Sequence, residues 1–155
     1  MKTCLLLTLV GLAISFALPT LAQEQKTVDP EVRRQIEAVG MQVVEAYNKH
    51  DAAASAALYT QEAVRMGDVR GGLLVGREAI EKGFAADFAA SFPPRVERLV
   101  QMYAFEDRIV TISEWSSESY HGHRLKIYVR DADTWKIGME FITATKERQA
   151  RLEQQ

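Results

Sequence analysis

The chain has 155 residues, of which 47% are apolar, 26% charged and 8% aromatic. That is enough for one domain with its own core, and it excludes a collagen-like, low-complexity or disordered chain. Nineteen Lys and Arg against 21 Asp and Glu leave a formal charge of −2, so no concentrated basic surface points to nucleic acid and no polybasic patch to an anionic membrane.

Residues 1–22 read as an address, not as part of the fold. Lys2 is a short positive start, and Leu5 to Leu18 run apolar except for Thr8, Gly11 and Ser15. Pro19 ends any helix there, and Thr20-Leu21-Ala22 puts small residues at the two positions a signal peptidase reads. The run is shorter than the roughly 20 residues needed to cross a bilayer, and no stop-transfer pattern or basic flank follows it. The expectation is cleavage after Ala22 and export to a bacterial periplasm or beyond, with no membrane attachment afterwards. An uncleaved anchor is the alternative. Cleavage removes Cys4, the chain's one cysteine, and with it thiol catalysis, disulfides and thiolate metal sites.

After that segment the chain reads as helices and then strands. Asp29-Pro30-Glu31 opens a helix with an N-cap, a proline in the first turn and an early acid. Val32, Ile36, Val39, Val43 and Tyr47 share one face of it. Asn48-Lys49-His50-Asp51 breaks the helix, and a short Ala-rich one is predicted over Ala52–Leu58. Ala63–Gly67 and Leu73–Val75 read as short strands around a Gly71-Gly72 turn. Gly76-Arg77-Glu78 starts a third helix, with Ile80, Phe84, Phe88 and Phe92 four apart, and Pro93-Pro94 stops it. The period then becomes two over Arg95–Phe105, Arg108–Tyr120, Arg124–Arg130 and Trp135–Ala144. Glu106-Asp107, His121-Gly122-His123 and Asp131 to Thr134 are the expected hairpin connections. The fold class is α+β: a long, curved antiparallel sheet wrapped around N-terminal helices into a cone. One domain spans residues 23–145, and 146–155 form a charged tail.

The run from Val32 through Tyr47-Asn48-Lys49-His50-Asp51, followed by Ala57 to Val64, resembles the opening of the nuclear-transport-factor-2-like superfamily. It is similar to the superfamily's SnoaL-like and DUF4440-type small bacterial proteins. Gly76-Arg77-Glu78-Ala79-Ile80 and Asp133-Thr134-Trp135-Lys136-Ile137 fall in the same order, so the likeness covers about residues 30–144. It implies a cone with a pocket between sheet and helices, and a homodimer formed through the outer sheet face. This fold hosts isomerases, dehydratases, hydrolases, cyclases and non-catalytic binders, so it names no single reaction. Lys126 stands where relatives often carry a small or acidic residue. No carboxylate and tyrosine set of the steroid-isomerase kind stands at matching positions.

Several residues are candidates for chemistry. Asp87, between Phe84 and Phe88, borders the apolar face of its helix and is the candidate general acid or base; the alternative is a solvated or paired carboxylate. Thr111, Ser113, Trp115, Ser117 and Ser119 share a strand face that reads as a pocket wall or as a wet surface. Glu114 and Glu118 fall on the opposite face and read as cross-strand ion pairs. Glu140, between Met139 and Phe141, takes the same alternate-face reading. His121 and His123 are read as exposed hairpin residues. With His50 the only other histidine, the spacing requires no metal site. Gly71 to Arg77 lacks the Lys and Ser/Thr of a phosphate loop, and there is no Gly-x-Ser-x-Gly elbow. No cofactor is expected. Tyr47, Tyr59, Phe84, Phe88 and Met139, with Met66 and Met102, divide between core and cavity wall.

The leading reading is a protein that binds a small, largely apolar molecule in its cone. Trp115 and Tyr59 are the expected anchors, Thr111 and Ser113 the orienting hydroxyls, and Tyr47, Phe84, Phe88 and Met139 further wall residues. The alternatives are a cofactor-free isomerase, dehydratase or hydrolase with Asp87 as base, and an interaction module with a vestigial cavity.

Overall fold

A computed structural model describes residues 27–67 and 72–146. The expected signal segment, 1–22, and residues 147–155 of the charged tail lie outside the described residues. Helix α1 spans Pro30–Asn48 and begins where the sequence places it: the Asp29 carboxylate accepts from the Glu31 and Val32 N–H groups at 2.8 and 3.2 Å, satisfying two donors that the first turn leaves free. Ile36, Val43 and Tyr47 on its apolar row are buried, with Val32 and Val39 packed beside them. His50, at φ 56°, turns the chain, and Asp51 caps α2 (Ala52–Ala57) through the Ala54 N–H.

Strand β1 (Tyr59–Gly67) starts four residues earlier than the sequence predicts, and β2 (Leu73–Val75) folds back on it. Gly76, at φ 87°, provides the left-handed turn into α3 (Arg77–Ala89), a conformation that costs glycine little. Ile80 and Phe84 on α3 enter the core. Phe92 lies beyond the helix, in the loop to β3.

Strands β3 (Arg95–Phe105), β4 (Arg108–Ser117), β5 (Tyr120–Asp131) and β6 (Thr134–Ile142) form the expected antiparallel meander. The sheet order is β2-β1-β6-β5-β4-β3. It departs from a purely antiparallel sheet at one seam, where β1 runs parallel to β6. The α+β cone therefore stands, with a curved, unclosed mixed sheet and the helices against its concave face.

The β4–β5 hairpin turns at Glu118-Ser119, not at His121-Gly122-His123, which lies inside β5. Short strand β7 (Thr145–Lys146) pairs back onto Tyr120 and His121. This fold-back presses the Thr143 carbonyl against Gly122, where any Cβ would collide with it.

Two bulges set which side chains look into the cone. In β3, Leu99 pairs with Ser113 but Gln101 with Ile112, leaving Val100 as the extra residue. In β6, Met139 pairs with Ile127 but Ile137 with Tyr128, leaving Gly138 extra. Each bulge shifts the alternation by one residue. Trp135 and Ile137 face inward before the β6 bulge, Glu140 and Ile142 after it. Met139 is consequently 44% exposed on the outer face, and its placement on the cavity wall is corrected. Glu140, expected to face outward, is fully buried.

Candidate functional site

The inner face of the sheet carries more charge than any other interior part of the described chain. Alternation places Arg95 and Glu97 on β3, Arg124 and Lys126 on β5, Glu140 on β6 and Arg65 on β1 toward the helices. Glu140 accepts from Tyr59 Oη at 2.7 Å, Arg124 Nη1 at 2.9 Å and Arg65 Nε at 3.2 Å. Glu97 accepts from Ser113 Oγ at 2.6 Å and from Lys126 Nζ. Arg124 Nε lies 3.7 Å from Glu97 and joins the two clusters.

Charge sets the ionisation of these groups against burial. Burial pushes the Glu140 carboxyl up, but the charges of Arg124, Arg65, Lys126 and Arg95 outweigh it and hold it far below the usual carboxylate range. Glu97 follows the same balance, with burial overcome by Lys126, Arg124 and Arg95, and is also lowered. Burial and the neighbouring Glu140 charge push the Tyr59 phenol well up, so it remains a donor. Glu140 and Glu97 are thus fixed as acceptors and are poorly suited to shuttle protons.

Two hollows open onto this floor. The smaller, about 210 Å³, lies between the end of α1, α3 and the sheet. Tyr47, Leu74, Phe92, Trp115 and Ile142 give it apolar walls, Arg95 and Arg124 line its floor, and Asp87 and Arg65 complete it. The larger, about 540 Å³, lies between the middle of α1 and strands β3 to β5, with Thr111, Ser113, Glu97 and Tyr128 on its polar side. Arg124 lines one hollow and Glu97 the other, so their ion pair belongs to the partition between them.

The residues singled out in the sequence therefore separate. Tyr47, Trp115 and Asp87 meet in the smaller hollow, whereas Thr111 and Ser113 line the larger one. Tyr59 and Phe84 are fully buried core residues that line neither. Tyr59 is occupied by Glu140, and Phe84 packs beneath the Arg65 guanidinium at 4.7 Å. Phe88 is half-buried and packs edge-on to Tyr47, 5.1 Å between ring centres, and flat against His50 at 5.0 Å. The Trp115 indole N–H donates to the Thr143 carbonyl at 3.0 Å, and its ring lies 5.1 Å from the Arg124 guanidinium. Asp87 Oδ2 is 3.7 Å from Arg65 Nη2.

Sequence reasoning missed the cationic floor. Arg95 is 3% exposed, stacks on the Tyr47 ring at 3.8 Å, and its Nε and Nη2 meet no acceptor among the described residues. Burial and the nearby Arg124 charge lower it to about 10, so it is still a cation at neutral pH. The sequence offered one signal. Arg124, Lys126 and Tyr128 alternate on one strand, and Gly138 inside another marks a bulge that turns Glu140 toward them.

A sequence profile of the SnoaL-like domain matches residues 41–143; the chain belongs to that family. No curated protein matches. Among solved structures the chain is similar to a ketosteroid isomerase-like protein from Erwinia carotovora atroseptica SCRI1043, with 17% identity and a TM-score of 0.65 over 77% of this chain and 100% of that one. An NTF-2 like protein of unknown function from Shewanella oneidensis MR-1 has 14% identity and a TM-score of 0.64, over 72% and 98%. A cystatin-like fold protein from Burkholderia xenovorans LB400 has 23% identity and a TM-score of 0.61, over 77% and 96%. These likenesses establish the NTF2-like fold and carry no activity across.

Removing one partner of a buried ion cluster strands the others, at a cost of about 3–5 kcal/mol. Glu140→Gln should lower the unfolding free energy at pH 7 by an amount of that order in urea titrations. Glu140 and Glu97 bind protons less readily folded than unfolded, from an ordinary value of 4.5. Their stabilisation is therefore complete above that value and is lost as pH falls through and below it. The wild type should lose stability steeply between about pH 5 and pH 2, and the Gln variant less so. An unchanged stability at pH 7 would show that the cluster does not hold the strands.

Proposed function

We propose that this SnoaL-like domain binds a small, largely apolar molecule in the smaller hollow. The observation that carries the reading is the wall of Tyr47, Leu74, Phe92, Trp115 and Ile142 around open space, with polar groups confined to floor and rim. That combination of apolar body and few fixed polar groups is what small-molecule sites share. The acid–base alternative rests on Asp87, the one carboxylate among the described residues that line this hollow, beside Arg65. Binding should change Trp115 emission, since that ring is part of the wall, against a constant background from Trp135, whose indole donates to Gln35. Titration of a panel of small apolar and aromatic compounds should give saturable changes that Trp115→Phe removes. A flat response to the whole panel would end the binding reading. If turnover of any bound compound is found, Asp87→Asn should abolish it, and unchanged turnover would take Asp87 out of the mechanism.

The same reading includes a homodimer through the outer sheet face. Two apolar rows cross that face: Met66, Phe141, Leu125 and Ile112 in one register, and Val64, Met139, Ile127, Val110 and Tyr103 in the next. Met66, Met139 and Phe141 are each close to half exposed, and continuous exposed apolar surface of this kind favours association. Light scattering on the chain from Gln23 should give twice the protomer mass, and Phe141→Glu should halve it. A wild-type monomer at micromolar concentration would refute the dimer.

Export by residues 1–22 completes the proposal. Expressed in a bacterium with its natural start, the chain should be recovered from the periplasm or medium with a mass beginning at Gln23. A full-length chain retained in the cytoplasm would refute it.

A further inference from the structure

We infer that the molecule held in the smaller hollow is a small organic acid, with its carboxylate on Arg95 and its apolar body against Tyr47, Phe92 and Trp115. The inference rests on the binding reading above and specifies the charge and head group of the ligand. Among the described residues four cations, Arg65, Arg95, Arg124 and Lys126, face three carboxylates, Glu97, Glu140 and Asp87, across the floor and rim. Glu140 is taken by Tyr59, Arg65 and Arg124, Glu97 Oε1 by Lys126 and Ser113, and Glu97 Oε2 faces Arg124 Nε at 3.7 Å. Among the described residues no carboxylate lies within ion-pair distance of Arg95, which keeps one positive charge over.

The Arg95 backbone is well provided for. Its N–H donates to Asn48 Oδ1 and its carbonyl accepts from Asn48 Nδ2, both at 2.9 Å. The side chain is not. Tyr47 covers one face of the guanidinium, but a ring face does not satisfy the in-plane N–H donors. Nε and Nη2 stay buried without an acceptor among the described residues, on a residue that lines the hollow. A planar group with two anionic oxygens fits such a fork by paired hydrogen bonds.

Charge and size narrow the class. The one cation left over among the described residues matches a monoanion. The hollow, at about 210 Å³, is smaller than the roughly 300–1,000 Å³ of sites for drug-sized ligands. A monocarboxylate with a short branched or single-ring body meets both conditions. Inorganic phosphate meets the charge requirement but leaves the apolar wall unused.

Calorimetry with the chain from Gln23, using phenylacetate, its neutral isostere phenylacetamide and inorganic phosphate, tests this directly. Phenylacetate should bind at least tenfold more tightly than the amide. Arg95→Met should abolish that difference while leaving the amide affinity within about threefold. Arg95→Lys, which keeps the charge and loses the fork, should retain part of the preference. Equal wild-type affinities for acid and amide would overturn the carboxylate assignment while leaving small-molecule binding intact, and this comparison needs no variant to fold. Phosphate binding more tightly than phenylacetate would overturn it in favour of a phosphate site. No binding by acid or amide, together with a flat response to the apolar panel, would refute the binding reading itself.

Discussion

The Glu140 carboxylate, out of reach of water and gripped by Tyr59, Arg65 and Arg124, is the constraint on which the concave face depends. Its partners come from β1 and β5, the two strands that flank β6. One side chain therefore ties the parallel seam, where β1 joins β6, to the antiparallel meander. The seam has few alternatives for its register. A slip by one residue would turn Arg65 or Glu140 to the outer face and strand the other in the interior. Apolar packing from Ile137, Ala63 and Ile80 supplies bulk stability here, but it would tolerate such a slip more readily than an unpaired charge would.

That constraint explains which parts of the chain were legible. Local signals were strong where local chemistry decides the outcome. Asp29-Pro30, Asp51 and the four-residue spacing of the α1 apolar row act within a few residues of themselves and place α1 and the start of α2 correctly, whereas α3 ends at Ala89, short of the Pro93-Pro94 stop. The meander was legible from its period of two. The order of motifs from Val32 to Ile137 gave the family likeness, which the SnoaL-like profile match bears out. Side-chain direction after a bulge is a different kind of information. It depends on how two strands pair, and Met139 and Glu140 exchanged faces because Gly138 has no opposite number on β5. Glycine at that point was the available sign. Counting alternation from Trp135 without a break gives the reverse assignment.

The charged interior was hidden for a further reason. Lys, Arg and Glu are seldom fully buried, so a reading that takes each charge separately assigns each to solvent. Lys126, Arg124 and Glu140 are buried together with the largely covered Glu97 beside them, and each is held there by charges of the opposite sign. The grouping is a property of strand register, not of any short stretch of sequence. Tyr59 illustrates the same point from the apolar side. Its hydroxyl is committed to Glu140, so a residue that looked like a ligand anchor is a structural donor, while Arg95, read only as the first residue of a strand, faces the cavity.

The hollow follows from the same charges. A cavity above an apolar floor is closed readily, because any side chain that moves in gains contacts and loses nothing. Above Arg95 and Arg124 the balance differs. An apolar side chain laid across these guanidiniums would exclude the remaining routes to an acceptor, and the cost of an unsatisfied buried cation exceeds the gain from filling the space. Glu140 is already held by other donors, and Glu97 is committed to Lys126, Ser113 and the Arg124 ion pair. Open volume bounded by aromatic walls is then the arrangement that leaves an outside acceptor, water or a ligand oxygen, access to the guanidinium edge. Shape and charge in this cone have one origin: Glu140, Glu97 and Asp87 are placed to neutralise Arg65, Arg124 and Lys126, and Arg95 is left facing the space that results.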